Sequence, residues 1–108
     1  MPSSPPPDPP DPPPHFVQTG KASWYGDSRN ADGTPVNNAS DISAAHRSLP
    51  FGTRIKATRL DTGATVSDIV IHDRGPYVDG RIVDFRPKVA ELLDMVDAGV
   101  VPIKIEAQ

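Results

Sequence analysis

The sequence predicts a mainly β domain, a six-stranded barrel with one short α-helix. Three observations lead to this prediction. Residues 54–60 and 64–71 are strand-like stretches joined by a tight turn, as in a hairpin. Residues 87–95 are the one stretch with helical spacing of apolar side chains. Without its Pro-rich start, the chain has roughly 90 residues, which is enough for a single compact core.

The N-terminal segment differs in composition from the rest of the chain. Nine of the fourteen prolines fall within the first fourteen positions, and Asp8 and Asp11 add charge. Such a segment is extended and solvated and cannot form a packed core. We therefore divide the chain into a tail or linker over residues 1–16 and a barrel domain over residues 17–108.

Strands and turns account for most of the domain. Residues 17–25 are predicted as a first strand, and residues 28–40 form a long loop rich in Asn, Asp, Gly, Pro and Ser. Residues 54–60 alternate polar and apolar side chains, as in a half-buried strand. The turn at 61–63 contains Gly63, which can adopt positive φ, and leads into the partner strand.

The helix and the last strand follow from two different periodicities. Pro87 suits the first position of a helix. Four apolar residues then recur at helical spacing and predict one buried face: Val89, Leu92, Leu93 and Val96. Residues 100–106 alternate again, which predicts a final strand.

The most informative motif is the run His-Asp-Arg-Gly-Pro-Tyr at residues 72–77. It follows the apolar residues 69–71, so it lies where a buried strand ends in a tight turn. The turn places Asp73 beside Arg74 at a strand end, a usual position for chemistry on a rigid scaffold. Taken alone, the motif also fits a turn with a surface ion pair.

Three further blocks accompany this motif, in a fixed order. They are Gly-Lys-Ala-Ser-Trp-Tyr-Gly at 20–26, Ser-Ala-Ala-His-Arg-Ser-Leu-Pro-Phe-Gly-Thr at 43–53 and Ile-Val-Asp-Phe at 82–85. Together the four blocks resemble the rare lipoprotein A family, over residues 20–106. The resemblance implies a double-psi β-barrel related to the first domain of expansins. It also implies a cell-envelope lytic transglycosylase that acts on the glycan strands of peptidoglycan.

The resemblance also implies candidate catalytic residues. Asp73 is the candidate for proton transfer, and His46 is placed in the same groove, where a neutral imidazole could hydrogen-bond it. In isolation, His46 would rather be interpreted as a residue that satisfies backbone groups of a turn. Arg74 would keep Asp73 ionised unless it pairs elsewhere, with Asp84 or with a backbone carbonyl.

Five residues are candidates for substrate binding. Aromatic side chains can stack on sugar faces, although Trp24 and Tyr25 at a strand end also fit core packing. The candidates are Trp24, Tyr25, Thr34, Arg74 and Tyr77.

The sequence departs from the family pattern in the long loop. Thr34 occupies the position of a family Glu that is counted among its functional carboxylates, and His72 stands where the family usually has Asn. The loop between residues 26 and 31 is shorter than usual, so Asp32 could replace the Glu only if the loop is rebuilt. The chain is also one residue longer than usual between Asp61 and Asp73, which predicts a β-bulge near residues 67–68.

Composition limits the partners. The net charge is −3, and no basic patch indicates nucleic-acid binding. We find no membrane-spanning run, no cysteine and no recognised metal-ligand spacing, and we expect no cofactor. We expect a monomer that binds peptidoglycan glycan strands in the bacterial cell envelope, periplasmic or associated with the outer membrane, with its export signal outside this chain and no membrane contact by the domain.

Two functions of different classes remain at this point. The first is a lytic transglycosylase that uses Asp73 and His46. The second is a non-catalytic, expansin-like module that binds glycan or loosens the wall. The pairing of His46 with Asp73 favours the enzyme, and Thr34 favours the binding module.

Overall fold

The computed structural model describes residues 16–26, 30–37 and 40–108. Within these residues the chain forms β1 (Val17–Trp24), β2 (Ser43–His46), β3 (Arg54–Arg59), β4 (Thr65–Asp73), β5 (Arg81–Phe85), α1 (Pro87–Leu92) and β6 (Val101–Ala107). Apart from Phe16, the predicted N-terminal tail lies outside the described residues.

The six strands close into a barrel in the order β1-β5-β2-β4-β3-β6. β1 pairs with β5 and β2 pairs with β4 in parallel, whereas the other neighbours are antiparallel. Closure leaves no unpaired sheet edge between these strands. The predicted six-stranded double-psi β-barrel with one short helix is confirmed.

The predicted hairpin and its bulge are both present in β3 and β4. Ile55 pairs with Ile69, whereas Ala57 pairs with Val66, so β4 holds one residue more than β3 between these pairs. Asp68 lies in this extra segment with a φ of 59°, in the left-handed region. An extra residue with such a backbone is the geometry of a β-bulge.

The core lies inside the barrel and beneath α1. Inward-facing residues alternate with exposed ones along β3 and β6, as their sequences predict, while all four residues of β2 are buried. The helix packs against β4 and β5 and closes one side of this core. The larger apolar residues of the core are Ile55, Ile69, Ile71, Val83, Phe85, Val89, Leu93, Met95, Ile103 and Ile105.

The helix ends earlier than predicted, after Leu92 and not near Met95. Asp94 has a φ of 53° and stops the helix. Its N–H bonds to the carbonyl of Glu91 at 3.0 Å, and the N–H of Met95 bonds to the carbonyl of Ala90 at 3.0 Å. These two bonds form a Schellman motif, which satisfies the last carbonyls of the helix.

The early stop changes which apolar side chains are buried. Val89 and Leu93 lie in the core, as predicted. Leu92 and Val96 are 49% and 40% exposed, so their placement on the buried face was wrong. The left-handed residue turns the chain away from the helix axis, so helical spacing no longer governs Val96.

We predict that Asp94→Gly raises the free energy of unfolding by about 0.5–1 kcal/mol. Glycine adopts positive φ without the steric cost of a Cβ, and the change removes a negative charge from the negative end of the helix dipole. Urea unfolding followed by circular dichroism measures the difference. Asp97→Gly is the control, because Asp97 is exposed in the same loop and is not among the described residues with positive φ. A loss of stability in Asp94→Gly would contradict the prediction.

Candidate functional site

Asp73 ends β4 with a carboxylate that is surrounded by donors. Its Oδ1 accepts hydrogen bonds from the backbone N–H groups of Ala31 and Arg74, both at 2.9 Å. Its Oδ2 accepts the hydroxyl of Tyr25 at 2.7 Å and lies 3.8 Å from Nη2 of Arg86. Because each of these partners is a donor, the arrangement suits a carboxylate anion.

Arg86 is the central cation of the site, and sequence reasoning missed it. It is fully buried between β5 and α1, and its guanidinium lies 4.3 Å from the centroid of the Tyr25 ring. Its Nη2 donates to the side-chain carbonyl of Asn30. A charged residue directly before Pro87, where a helix usually begins with Ser, Thr or Asp, is the sequence signal that could have indicated this role.

Tyr25 stays a donor to Asp73 over a wide pH range. Burial, followed by the hydrogen bond to Asp73, raises the pKa of the Tyr25 hydroxyl well above its ordinary value. Tyr25 therefore donates to the Asp73 carboxylate while its ring lies against Arg86. This contact joins the end of β1 to the end of β4.

The Arg74 side chain points away from the Asp73 carboxylate. Of the two partners considered from the sequence, Asp84 or a backbone carbonyl, it binds backbone carbonyls. Its Nη1 donates to the carbonyls of Leu49 at 2.7 Å and His46 at 3.2 Å. Its guanidinium also stacks 3.9 Å from the centroid of the exposed Phe51 ring. The alternative partner, Asp84, accepts a hydrogen bond from the Ser23 hydroxyl.

The predicted hydrogen bond between His46 and Asp73 is wrong. Nδ1 of His46 accepts the backbone N–H groups of Ser48 and Leu49, both at 3.1 Å, and Nε2 lies 2.8 Å from Oε1 of Gln18. Nε2 therefore carries the proton and donates to Gln18. His46 is buried and holds the turn after β2, as the reading of the residue in isolation expected.

The loop at residues 30–34 is organised around Asp32. Its Oδ1 accepts the amide of Thr34 at 2.9 Å and the hydroxyl of Thr34 at 2.6 Å, and its Oδ2 lies 2.6 Å from Nδ1 of His72. Burial by itself raises the pKa of Asp32, but the hydrogen bonds from Thr34 and His72 outweigh it and keep that pKa below its ordinary value. The two residues that depart from the family pattern thus share one partner.

The predicted aromatic binders lie in different surroundings. Tyr77 is 74% exposed, and the guanidinium of Arg47 lies 5.9 Å from its ring centroid. Arg47 is in turn held by the carbonyls of Pro76 and Val78. Trp24 is half-buried against the core and donates its indole N–H to the carbonyl of Val96 at 3.3 Å. The Tyr77 ring is therefore accessible to a ligand, whereas Trp24 mainly packs against the core.

The turn after Asp73 requires glycine at one position. Gly75 is buried and has a φ of 121°, in the region that side chains rarely adopt, and the bond from Gly75 to Pro76 is cis.

The described residues offer neither a metal site nor a membrane-spanning helix. Within residues 16–26, 30–37 and 40–108, no group of three His, Cys, Asp or Glu side chains could hold a metal ion. No helix in the same ranges is long and apolar enough to cross a membrane.

We predict that His46 makes stability depend on pH. Burial, and then the nearby charges of Arg74 and Arg47, lower the pKa of His46 from 6.5 to about 4. The unfolded chain therefore binds more protons between these values, so stability is full above about pH 6.5 and falls as the pH drops towards 4. From pH 7 to pH 5, the natural protein should lose about 2 kcal/mol more than His46→Gln.

Chemical denaturation at the two pH values measures this difference. His15→Gln in the N-terminal segment is the control for the loss of a histidine and should retain the full pH dependence. Equal pH dependence in the natural protein and in His46→Gln would contradict the prediction.

Comparison with known proteins agrees with this fold and this motif order. A family model described as lytic transglycolase matches residues 17–105. The Streptomyces papain inhibitor has the same fold, with a TM-score of 0.70 at 24% identity, covering 85% of this chain and 94% of the inhibitor. At that identity the likeness concerns the fold alone.

Curated relatives carry the name endolytic peptidoglycan transglycosylase RlpA. One from Treponema pallidum, named as probable, is 42% identical over 83% of this chain and 29% of the relative. One from Nostoc sp., also named as probable, is 41% identical over 81% of this chain and 24% of the relative. One from Vibrio cholerae is 36% identical over 84% of this chain and 35% of the relative.

The chain thus spans about a quarter to a third of the length of these relatives. The match to the family model extends from the start of β1 to within β6 and so includes Tyr25, Asp73 and Arg86. By its barrel, by the order of its motifs and by this match, the chain belongs to the lytic transglycolase family.

Proposed function

We propose that this protein cleaves peptidoglycan glycan strands as a lytic transglycosylase and leaves 1,6-anhydromuramyl ends. The observation that carries the proposal is the Asp73 carboxylate, fixed by donors at a strand end. The names of the curated relatives support the same substrate. We infer from them a place in the bacterial cell envelope and a peptidoglycan partner. We expect the domain to act as a monomer without a cofactor or membrane contact.

The reaction requires two proton movements and no water. The C6 hydroxyl of the muramyl residue attacks its own C1, and the glycosidic oxygen leaves with a proton. Because its described partners are all donors, we assign Asp73 the part of accepting the proton of the C6 hydroxyl. A negative charge there also stabilises the positive charge that develops at C1 in the transition state.

The other candidate residues shape the groove. Tyr77 offers an exposed ring for stacking on a sugar, and Tyr25 orients the Asp73 carboxylate. Arg74 joins the Asp73 turn to the loop after β2 through the carbonyls of Leu49 and His46. We therefore propose that His46 is a positioning residue: it fixes the turn after β2, and that turn holds Arg74.

Two candidates contribute from neighbouring segments. Trp24 packs against the core at the end of β1, and Thr34 belongs to the loop at residues 30–34. Because the Thr34 hydroxyl is bonded to Asp32, its contact with substrate would be through the outer face of the loop.

A second candidate function is non-catalytic glycan binding or wall loosening, as in an expansin-like module. The observation that favours it is Thr34, a residue that cannot transfer a proton near neutral pH, at the position of the family Glu. The exposed ring of Tyr77 would serve binding equally well. Measurement of product separates the two functions, because only the enzyme creates anhydromuramyl ends.

We predict that Asp73→Asn lowers cleavage at least ~10²-fold, the usual scale for the loss of a proton-transfer group. The change keeps the size of the side chain and removes its basicity. Purified peptidoglycan is incubated with each protein, and anhydromuramyl products are quantified by mass spectrometry. Thermal unfolding verifies that each variant is folded.

Asp79→Asn is the matched control, since Asp79 is an exposed aspartate in the turn after the motif. It should cleave like the natural protein. Unchanged turnover in folded Asp73→Asn would exclude Asp73 as the proton-transfer group. Firm peptidoglycan binding without product from the natural protein would favour the binding module.

A further inference from the structure

β4 carries a second side chain that can bear a proton. His72 precedes Asp73 on β4, and its Nδ1 lies 2.6 Å from Oδ2 of Asp32. A carboxylate only accepts hydrogen bonds, so Nδ1 carries a proton whether the ring is neutral or charged. Nε2 is then the atom that gains or loses a proton. Among the described residues, no hydrogen bond occupies Nε2, and the side chain is 30% exposed.

Asp32 is held in place to serve as the partner of His72. The amide and hydroxyl of Thr34 both donate to its Oδ1, and its own backbone N–H donates to the carbonyl of His72 at 3.2 Å. Its side chain is only 12% exposed. A histidine whose Nδ1–H is fixed by a part-buried carboxylate has the arrangement that orients imidazole for acid–base catalysis.

The Asp32–His72 pair and Asp73 are held by the same short loop. Ala31 donates its backbone N–H to Asp73, and the next residue, Asp32, binds His72. The register between β2 and β4 also shifts by one residue between Ile71 and Asp73, so His72 is the additional residue. Such a shift re-aims side chains, and shifts of this kind are frequent beside active sites.

The chemistry proposed above lacks a proton donor. Asp73 faces donors and serves as the base, while both ring nitrogens of His46 are engaged, Nδ1 by the backbone N–H groups of the turn and Nε2 by Gln18. Tyr25 gives its hydroxyl proton to the hydrogen bond with Asp73. Of the histidines in the described residues, His72 has the nitrogen that remains available.

We propose that His72, oriented by Asp32, donates the proton to the leaving glycosidic oxygen; this rests on the proposed transglycosylase function. Nε2–H of the imidazolium gives its proton to the glycosidic oxygen as the bond from C1 to that oxygen breaks. The C6 oxygen forms the new bond to C1, and its proton passes to Asp73. The substrate neither gains nor loses a proton overall. Solvent then carries the proton from Asp73 back to His72.

His72→Asn separates this role from that of a structural anchor. The amide nitrogen of Asn takes the place of Nδ1, so the variant can still donate to Asp32, but it has no atom at the position of Nε2. If His72 only anchors the loop, the variant should keep its activity. If His72 donates the proton, the variant should lose it. We expect the turnover number to fall at least ~10²-fold, with KM and the melting temperature close to those of the natural protein.

Two further variants examine the pair itself. Asp32→Asn removes the carboxylate that orients the ring and should lower turnover at least ~10-fold. His72→Ala opens a cavity, and imidazole added to the assay should restore part of its product formation. His15→Asn is the control for the loss of a histidine and should cleave like the natural protein. All variants are made in the full chain and assayed for anhydromuramyl ends.

A measurement without turnover examines the geometry. Nitrogen-15 NMR of the histidine side chains at high pH should find the proton of neutral His72 on Nδ1, and Asp32→Asn should shift it towards Nε2. A neutral His72 with its proton on Nε2 in the natural protein would overturn the proposal. So would natural turnover in His72→Asn, or the absence of imidazole rescue in a folded His72→Ala variant.

The outcomes also distinguish this proposal from the function on which it rests. If the natural protein cleaves, Asp73→Asn does not and His72→Asn does, only the proposal for His72 is overturned. If the natural protein binds peptidoglycan but creates no anhydromuramyl end, the transglycosylase function fails and the proposal fails with it.

Discussion

Arg86 is fully buried directly after β5, and a guanidinium in that position requires polar partners around it. Asp73, Asn30 and the face of the Tyr25 ring surround it. Removing one partner of such a buried charge usually costs several kcal/mol, so these contacts are strongly coupled. The residues that satisfy Arg86 are therefore the same residues that orient the Asp73 carboxylate, and the stability of this part of the barrel cannot be separated from the geometry of the site.

The barrel topology brings these groups together from distant parts of the chain. β4 lies between β2 and β3 in the closed sheet, and its end, Asp73, faces the loop that follows β1. Arg74 then extends from the same turn to the carbonyls after β2. Because each side chain is fixed by a different element, the site lies on a rigid frame. Such a frame limits the reorganisation that a reaction would require.

The two residues that depart from the pattern implied by the resemblance share one partner in the structure. Thr34 and His72 lie far apart in the sequence, yet both bond to the Asp32 carboxylate. Where the resemblance implies a Glu, this chain has Thr34, which is bonded to the carboxylate of the Asp32–His72 pair. Residues 30–34 thus form a compact polar unit that fixes the Asp32 carboxylate.

The sequence by itself determined the elements with a local signal: the hairpin at residues 54–71, the alternating last strand and Asp73 at a strand end. Local periodicity is sufficient there because one face of each strand is buried. The early end of α1 at Asp94, the short buried strand β2 and the partners of His46 were decided by tertiary structure. So was the position of Arg86, because only the closed barrel places it against Tyr25 and Asp73. A buried charge depends on residues distant in the chain, and no local pattern records which of them will surround it.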